Sequence, residues 1–288
     1  MRKIDLNLLV AAFVLCFMVS CKKSVDNTTD VQAVVSTSSV ENYQEASPPV
    51  QKLISKNINN LIGGYVEALP ASYADHPSTK YPLIIYLHGK GSIGNGTLDE
   101  LKRVESNAIP LLIKQKKFPA NFYVGGQTYQ FIVLAPQFRW WPWSSDLDNF
   151  LDFAISKYRI DLSRIYVSGQ SMGGGIAWDY ATSYGKRVAA AVPIAGASAP
   201  TPEKGKLIAA AGTAIWTFNG ADDNCVPCSY PIDYVKYINK NNPLIPAKKT
   251  IFPGEGHSIW NQVADPNYKE NNKNIYEWML SYKNVNVK

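Results

Sequence analysis

Three residues that could together perform nucleophilic catalysis, Ser171, Asp223 and His257, each follow a short apolar stretch of this 288-residue chain. A serine hydroxyl is a weak nucleophile until a base removes its proton, and an imidazole suits that task because it titrates near neutral pH. A carboxylate beside the imidazole would orient the ring and stabilise its cation. Such a set of side chains could attack a carbonyl carbon and form an acyl-enzyme.

The serine lies in the segment Gly169-Gln170-Ser171-Met172-Gly173, which predicts a sharp turn between a strand and a helix. Ile165-Tyr166-Val167, just before it, is typical of a buried strand. Apolar residues recur at helical spacing after it, at Ile176, Ala177, Tyr180, Ala181 and Tyr184. Glycine is required on both sides of such a turn, because larger side chains would collide with the neighbouring strand and helix.

The acid and the base follow two later apolar stretches. Asp222 and Asp223 both come after Trp216-Thr217-Phe218, so either could supply the carboxylate, and Asp223 is the preferred candidate. His257 follows Gly256 in a loop that could bring the imidazole over the serine. The order serine, aspartate, histidine is the one found in α/β-hydrolases.

A tetrahedral intermediate also needs N–H donors for its oxyanion. The backbone N–H of Met172, at the start of the predicted helix, is one candidate. The second is the backbone N–H of Lys90, with Gly89 as the alternative, in a loop that follows another apolar stretch. His88 is predicted to brace that loop rather than to react.

Three further side chains are candidates for contact with the substrate: Gln170, Trp141 and Trp260. The two tryptophans come after a strand and after the histidine, where aromatic rings could wall an acyl or sugar pocket. Ordinary packing beneath the loops is the alternative for both.

Strands and helices alternate along the chain, which predicts a mostly parallel sheet with helices on both faces. The expected strands are 64–70, 81–87, 131–136, 165–167, 188–194, 214–218 and 249–252. The expected helices are 98–114, 144–158, 172–184, 230–238 and 275–282. In such a sheet ligands bind beyond the carboxyl ends of the strands, which is where the candidate residues fall.

Composition excludes two classes of protein. Hydrophobic residues make up 46% and aromatic residues 12% of the chain, which is too much for a disordered protein. The formal net charge of +6 is spread along the chain without an arginine-rich block, so we expect no nucleic-acid partner. Nothing in the sequence indicates a cofactor.

The first 20 residues are predicted to be a bacterial signal peptide of the lipoprotein type. Arg2-Lys3 is a positive start, residues 8–19 are apolar, and Cys21 follows the small residue Ser20. We expect Cys21 to carry a lipid that anchors the exported protein to a membrane. The alternative is ordinary signal cleavage with an incidental cysteine.

Residues 21–50 are rich in Ser, Thr, Asn, Asp, Val and Gln and carry few large apolar side chains. This composition predicts a disordered tether, followed by a catalytic domain over 51–288. Cys225 and Cys228 are the cysteines of that domain, and a disulfide between them is possible in an oxidising compartment. With three histidines and no second cysteine pair, we expect no metal site.

Several stretches resemble the α/β-hydrolase serine esterases related to polyhydroxybutyrate depolymerases and to feruloyl and acetyl xylan esterases, a branch often labelled predicted peptidases. The resemblance covers about 64–282 and rests on residues 86–89, 157–174 and 189–196, on 220–227 with the pattern G-x-x-D-x-x-V-P, and on 256–260. It implies the triad named above and favours Asp223 over Asp222. Asn219, where the family often has histidine, and Cys225 and Cys228 depart from its pattern.

The resulting expectation is a serine carboxylesterase acting through Ser171, with acetyl or feruloyl esters of plant or microbial polysaccharides as possible substrates. A serine peptidase is an alternative, because amides and esters share the acyl-enzyme route. A third possibility is an inactive, surface-anchored glycan-binding protein on the same scaffold.

Overall fold

The computed structural model describes residues 43–287, which include an eight-stranded sheet. The predicted signal peptide, Cys21 and most of the predicted tether lie outside these residues. Among the described residues, none of the helices is long and apolar enough to cross a bilayer.

The strands are β1 (Val50–Ile54), β2 (Ile62–Leu69), β3 (Tyr81–Leu87), β4 (Phe122–Val124), β5 (Gln127–Tyr129), β6 (Ile132–Phe138), β7 (Ile160–Gln170), β8 (Ala190–Ile194), β9 (Ala214–Gly220) and β10 (Lys248–Phe252). The large sheet has the order β1-β2-β6-β3-β7-β8-β9-β10, and β4 and β5 form a separate hairpin. β1 and β2 are antiparallel to their neighbours, and the other six strands run parallel.

The α-helices are α1 (Leu98–Leu101), α2 (Ala108–Lys114), α3 (Ser144–Lys157), α4 (Met172–Tyr184), α5 (Pro202–Ala211), α6 (Ser229–Lys240), α7 (Trp260–Ala264) and α8 (Ile275–Leu280). Short 3-10 helices cover Tyr73–Asp75, Lys90–Ser92, Val104–Ser106 and Gly185–Arg187. Residues of α3 and α4 pack on one face of the sheet, and residues of α2, α7 and α8 pack on the other. The predicted fold class, a mostly parallel sheet with helices on both faces, is confirmed.

The central strands are apolar on both faces because both faces are covered. Every residue of β3, β6 and β8 is buried. On the α8 side, Phe131 contacts the rings of Phe122 and Tyr276. On the α4 side, Trp178 stacks on Tyr234 of α6 with ring centroids 3.8 Å apart. This packing holds the carboxyl ends of the parallel strands at one edge of the sheet.

The domain begins earlier than the sequence predicted. Glu45 is buried, and its carboxylate accepts hydrogen bonds from the Ser72 N–H at 3.0 Å and from the Ser72 hydroxyl at 2.7 Å. Tyr43 stacks on His76, and Val50 opens the edge strand β1. Residues 43–50 therefore belong to the packed domain, and a tether reaching to residue 50 is too long.

The predicted helix over residues 98–114 is broken into three pieces. Asn107 adopts an extended conformation between Val104–Ser106 and α2, and the Ala108 N–H donates to the Asn261 side chain at 2.7 Å. Pro110 lacks an N–H but lies in the first turn of α2, where a helix tolerates proline. The break before α2 is therefore at Asn107 and not at the proline.

Candidate active site

Ser171 lies at the turn between β7 and α4, in the conformation that the glycine pattern predicted. Its backbone has φ 52° and ψ −115°, a region that L-residues rarely adopt. The Ser171 N–H donates to the Ile194 carbonyl at 2.9 Å, and the Ser171 carbonyl accepts from the N–H groups of Gly175 and Ala197. These bonds hold the strained residue in place at the tip of the strand.

The flanking glycines are required by close backbone approach. A Cβ atom at Gly173 would lie 2.0 Å from the Leu87 carbonyl oxygen of β3. A Cβ atom at Gly169 would lie 2.6 Å from the Gly173 backbone. Neither contact is possible for real atoms, so any side chain at either position would displace α4 from the sheet.

The structure brings the three predicted residues together. His257 Nε2 lies 2.8 Å from Ser171 Oγ, and His257 Nδ1 lies 2.8 Å from Asp223 Oδ2. An ionised carboxylate can only accept hydrogen bonds, so Nδ1 carries the proton and donates to Asp223. In that neutral tautomer Nε2 accepts the hydrogen bond from the serine hydroxyl, which is the arrangement a general base requires.

Asp223, not Asp222, contacts the histidine. The Asp223 side chain is fully buried, whereas Asp222 is exposed. The second oxygen of Asp223, Oδ1, accepts from the N–H groups of Cys225 at 2.8 Å and Val226 at 2.9 Å. Both carboxylate oxygens are thus occupied, which fixes the acid and leaves Oδ2 directed at the imidazole.

Asn219 is a contact of the acid that the sequence did not assign. Its side chain is buried, and its Nδ2 donates to the Gly220 carbonyl at 3.1 Å and to Asp223 Oδ2 at 3.3 Å. The sequence marked Asn219 only as a departure from the family pattern. The feature of the sequence that could have indicated this contact is the position of Asn219, four residues before Asp223 and at the end of a buried strand.

Cys225 and Cys228 are free thiols in this structure, so the disulfide that their spacing allows is not formed here. The Cys225 N–H is bonded to Asp223, and its sulfur lies within 4.8 Å of the donor atoms of Asp223 and His257. The Cys225 thiol therefore lies beside the acid and the base instead of pairing with Cys228. Burial and the nearby Asp223 and Asp222 carboxylates raise the pKa of the Cys228 thiol.

The side chains of Asp223, Cys225 and His257 are the one group among residues 43–287 whose donor atoms could surround a metal ion. Asp223 and His257 already bond to each other, and His257 also bonds to Ser171. A metal ion would have to displace the proton between Asp223 and His257, so the arrangement fits proton transfer better than metal binding.

A cavity of about 630 Å³ opens in front of Ser171 and His257. Its wall includes Gly89, Lys90, Gln170 and Trp260, four of the residues predicted for this site. Trp260 meets the His257 ring edge to face, with centroids 5.4 Å apart, and its indole N–H donates to Asn107 at 3.3 Å. The buried Tyr86 hydroxyl donates to the Gln170 side chain and fixes it beneath the cavity.

Trp141 does not line this cavity. It lies with Trp140 and Trp143 along a second cavity that contains neither Ser171 nor His257. The loop after β6 leads into α3, and its tryptophans share this second cavity with residues of α4 such as Asp179 and Thr182. The prediction that Trp141 walls the same pocket as Ser171 is therefore corrected.

Met172 is the first residue of α4, and the first N–H groups of a helix have no acceptor within the helix. Gly89 and Lys90 follow β3, the strand that pairs with β7, at the same edge of the sheet. Lys90, Lys102 and Arg103 place three cations around the cavity, although Lys102 also pairs with Asp99 at 2.9 Å and Arg103 with Glu100 at 4.0 Å. The surroundings of the serine hydroxyl thus favour negative charge.

Residues 135–283, just over half of the chain, match the sequence model of the dienelactone hydrolase family. The chain belongs to the dienelactone hydrolase family. The match includes β7, the turn with Ser171, and the loops with Asp223 and His257. It confirms the resemblance to α/β-hydrolase esterases. None of the curated proteins is significantly similar to the chain in sequence.

Solved structures share the fold of this dienelactone hydrolase family member. A thermostable esterase is 21% identical with a TM-score of 0.60, and the match covers 82% of this chain but only 63% of that one. A feruloyl esterase module from Clostridium thermocellum is 15% identical with a TM-score of 0.52, covering 76% and 86%. An acetyl xylan esterase from Aspergillus awamori is 16% identical with a TM-score of 0.51, covering 73% and 95%.

His88 braces the loop after β3, as the sequence predicted. Its Nε2 accepts from the Phe138 N–H at 3.0 Å, so its Nδ1 carries the proton and donates to the Gly89 carbonyl at 2.8 Å. Burial lowers the pKa of His88 to about 4, because the neutral ring is favoured away from water. The neutral ring thereby joins the Gly89 loop to the end of β6.

We predict that protonation of His88 destabilises the fold as the pH falls. The unfolded ring has the higher pKa, so the unfolded state binds more protons and stability declines as the pH drops below about 6.5. Between pH 7 and pH 5 the loss from this one residue should be about 2 kcal/mol. Urea unfolding of the parent and of His88→Gln at both pH values measures it. An equal loss of stability in the two proteins would contradict the assignment.

Proposed function

We propose that the protein is a serine carboxylesterase that hydrolyses esters through an acyl-enzyme on Ser171. The observation that carries the proposal is the continuous hydrogen-bonded chain from Ser171 Oγ through His257 to Asp223, with both links 2.8 Å long. Membership of a hydrolase family supports the same reaction type.

In the proposed mechanism His257 Nε2 takes the proton as Ser171 Oγ attacks the ester carbonyl carbon. The imidazolium that forms is stabilised by the buried Asp223 carboxylate. The protonated His257 then gives its proton to the leaving alcohol, and the acyl group remains on the serine. Water, activated by the same imidazole, releases the acid and restores Ser171.

The N–H groups of Met172 and Lys90, with Gly89 as the alternative to Lys90, are proposed to bind the oxyanion. Met172 is supported by its place at the first turn of α4, where N–H groups are free and the helix dipole favours negative charge. Lys90 and Gly89 are supported by their place in the wall of the same cavity. Removing one such donor typically slows catalysis by about 10² to 10³.

Acetyl and feruloyl esters of polysaccharides are the proposed substrates. Two of the solved structures that share the fold are a feruloyl esterase module and an acetyl xylan esterase, which motivates the choice. The cavity of about 630 Å³ has room for either acyl group, and Trp260 gives it an aromatic wall.

We predict that Ser171→Ala lowers kcat for p-nitrophenyl acetate and methyl ferulate by about 10³-fold or more, since no other group can form the acyl-enzyme. Asp223→Asn should lower kcat by about 10⁴-fold, because an amide no longer holds His257 in the required tautomer. Steady-state kinetics on both esters and on a matched p-nitroanilide amide provide the measurement.

Asp222→Asn is the matched control for the acid, because Asp222 is an exposed neighbouring carboxylate. Its activity should stay close to that of the parent. The proposal fails if Ser171→Ala retains esterase activity, or if Asp222→Asn is as impaired as Asp223→Asn. Amide turnover well above ester turnover would instead favour a peptidase.

We further infer that the protein is exported and anchored through a lipid on Cys21, on the strength of the sequence pattern around that residue. The expected result is that a bacterial host fed an alkyne-tagged fatty acid labels the full chain. Cys21→Ser should abolish the label, whereas Cys16→Ser, which changes the other cysteine of the export segment, should retain it. A label that survives Cys21→Ser would contradict lipidation at this residue.

A further inference from the structure

Three large aromatic side chains are exposed side by side in the loop between β6 and α3. Trp140 is 71% exposed, Trp141 41% and Trp143 78%. Within residues 43–287, Tyr123 is the only other exposed aromatic residue. The described part of the chain thus concentrates its exposed aromatic surface in one four-residue stretch, which also contains the buried Pro142. Exposed apolar side chains concentrated in this way mark a binding surface, whereas single exposed apolar residues are common and need no explanation.

These rings form one wall of the second cavity, which has a volume of about 770 Å³. The residues of α4 and α5 that line it are Ile176, Asp179, Thr182, Ser183 and Lys204, of which all but Ile176 are polar. Lys204 Nζ donates to Asp179 Oδ1 at 2.9 Å and to Ser198 Oγ at 2.8 Å. These bonds hold the charged groups in place while leaving Asp179 40% and Lys204 28% exposed.

The indole N–H groups of Trp140, Trp141 and Trp143 make no hydrogen bond to any part of the chain that the structure describes. Thr182 Oγ1 donates to the Trp178 carbonyl at 2.9 Å, so its oxygen can still accept a bond from a ligand. The cavity therefore offers free donors on the aromatic side and carboxylate, hydroxyl and ammonium groups on the other.

A sugar ring matches this pairing of surfaces. One face of a pyranose presents C–H groups that can lie against an indole ring, and its edge carries hydroxyl groups that both donate and accept hydrogen bonds. A bilayer matches less well, because inserting the loop would bring the Asp179–Lys204 pair against hydrocarbon. The near-neutral pair of charges also favours a neutral ligand over an ionic one.

The geometry points to a glycan-binding site in this second cavity. The site would hold a neutral oligosaccharide apart from the cavity in front of Ser171. The two cavities share none of their lining residues. β6 and β7 run parallel on either side of β3, two strand spacings or about 10 Å apart, so the tryptophan loop and Ser171 follow strands that end at the same edge of the sheet.

The test uses the purified full chain in a detergent without a sugar headgroup, with xylohexaose and cellohexaose as probes in titration calorimetry. Binding of at least one probe is expected, and the double variant Trp140→Ala/Trp143→Ala should weaken it by about tenfold or more, since each ring contributes stacking contacts. Tyr123→Ala, which removes an exposed ring elsewhere, should leave the affinity unchanged. Trp143→Phe, which keeps an aromatic face, should retain most of it.

The probes carry no ester, so the result does not depend on the proposed esterase activity. Hydrolysis of p-nitrophenyl acetate by the double variant should equal that of the parent, which also shows that the variant is folded. The proposal is overturned if neither hexaose binds, or if binding is unchanged in the double variant. Brominated phospholipid vesicles test the membrane alternative. If neither hexaose binds and the vesicles quench the tryptophan fluorescence of the parent but not of the double variant, the loop binds a bilayer and the glycan proposal is overturned.

Discussion

The close approach of α4 to β3 is the constraint on which the rest of the site depends. Gly173 lies so near the Leu87 carbonyl that no side chain fits between them, and this contact forces the chain to turn sharply at Ser171. The turn holds Ser171 at a positive φ that costs on the order of 1–3 kcal/mol, which the surrounding backbone hydrogen bonds offset. In return, the hydroxyl points out of the sheet and toward His257.

The acid and the base are positioned by a second backbone arrangement, independent of the first. The Ala221 N–H donates to the Phe252 carbonyl, and the Asp222 N–H donates to the Glu255 carbonyl, both at 2.9 Å. These bonds join the loop after β9 to the loop after β10, which places Asp223 beside His257. Catalysis by such a set of residues depends on this preorganisation, because misplacement by about 1 Å can slow the reaction about 10²-fold.

The sequence predicted the parts of the molecule that local pattern determines. Ser171, Asp223 and His257 each follow one of the parallel strands, so the strand ends bring them to one edge of the sheet. Trp141 was misplaced because the direction of its loop depends on how α3 and α4 pack, which no local pattern encodes. Glu45 and β1 were missed because the partners that stabilise them, Ser72 and β2, lie later in the chain and no local pattern indicates the pairing.

The cysteines show a second limit of sequence reasoning. The spacing of Cys225 and Cys228 allows a disulfide, but the Cys225 N–H donates to the Asp223 carboxylate and its sulfur lies within 4.8 Å of the donor atoms of Asp223 and His257. Such contacts depend on the folded loop and cannot be inferred from the spacing alone. Asn219 donates to the same carboxylate, although the sequence marked it only as a departure from the family pattern.

We propose that the geometry of the turn and His257 together make Ser171 a nucleophile. Peptide mapping by mass spectrometry after treatment with a fluorophosphonate measures this reactivity. A single adduct on Ser171 is expected, formed much more slowly in a His257→Ala variant that remains folded. The absence of an adduct, an adduct on another residue, or labelling that does not depend on His257 would contradict it.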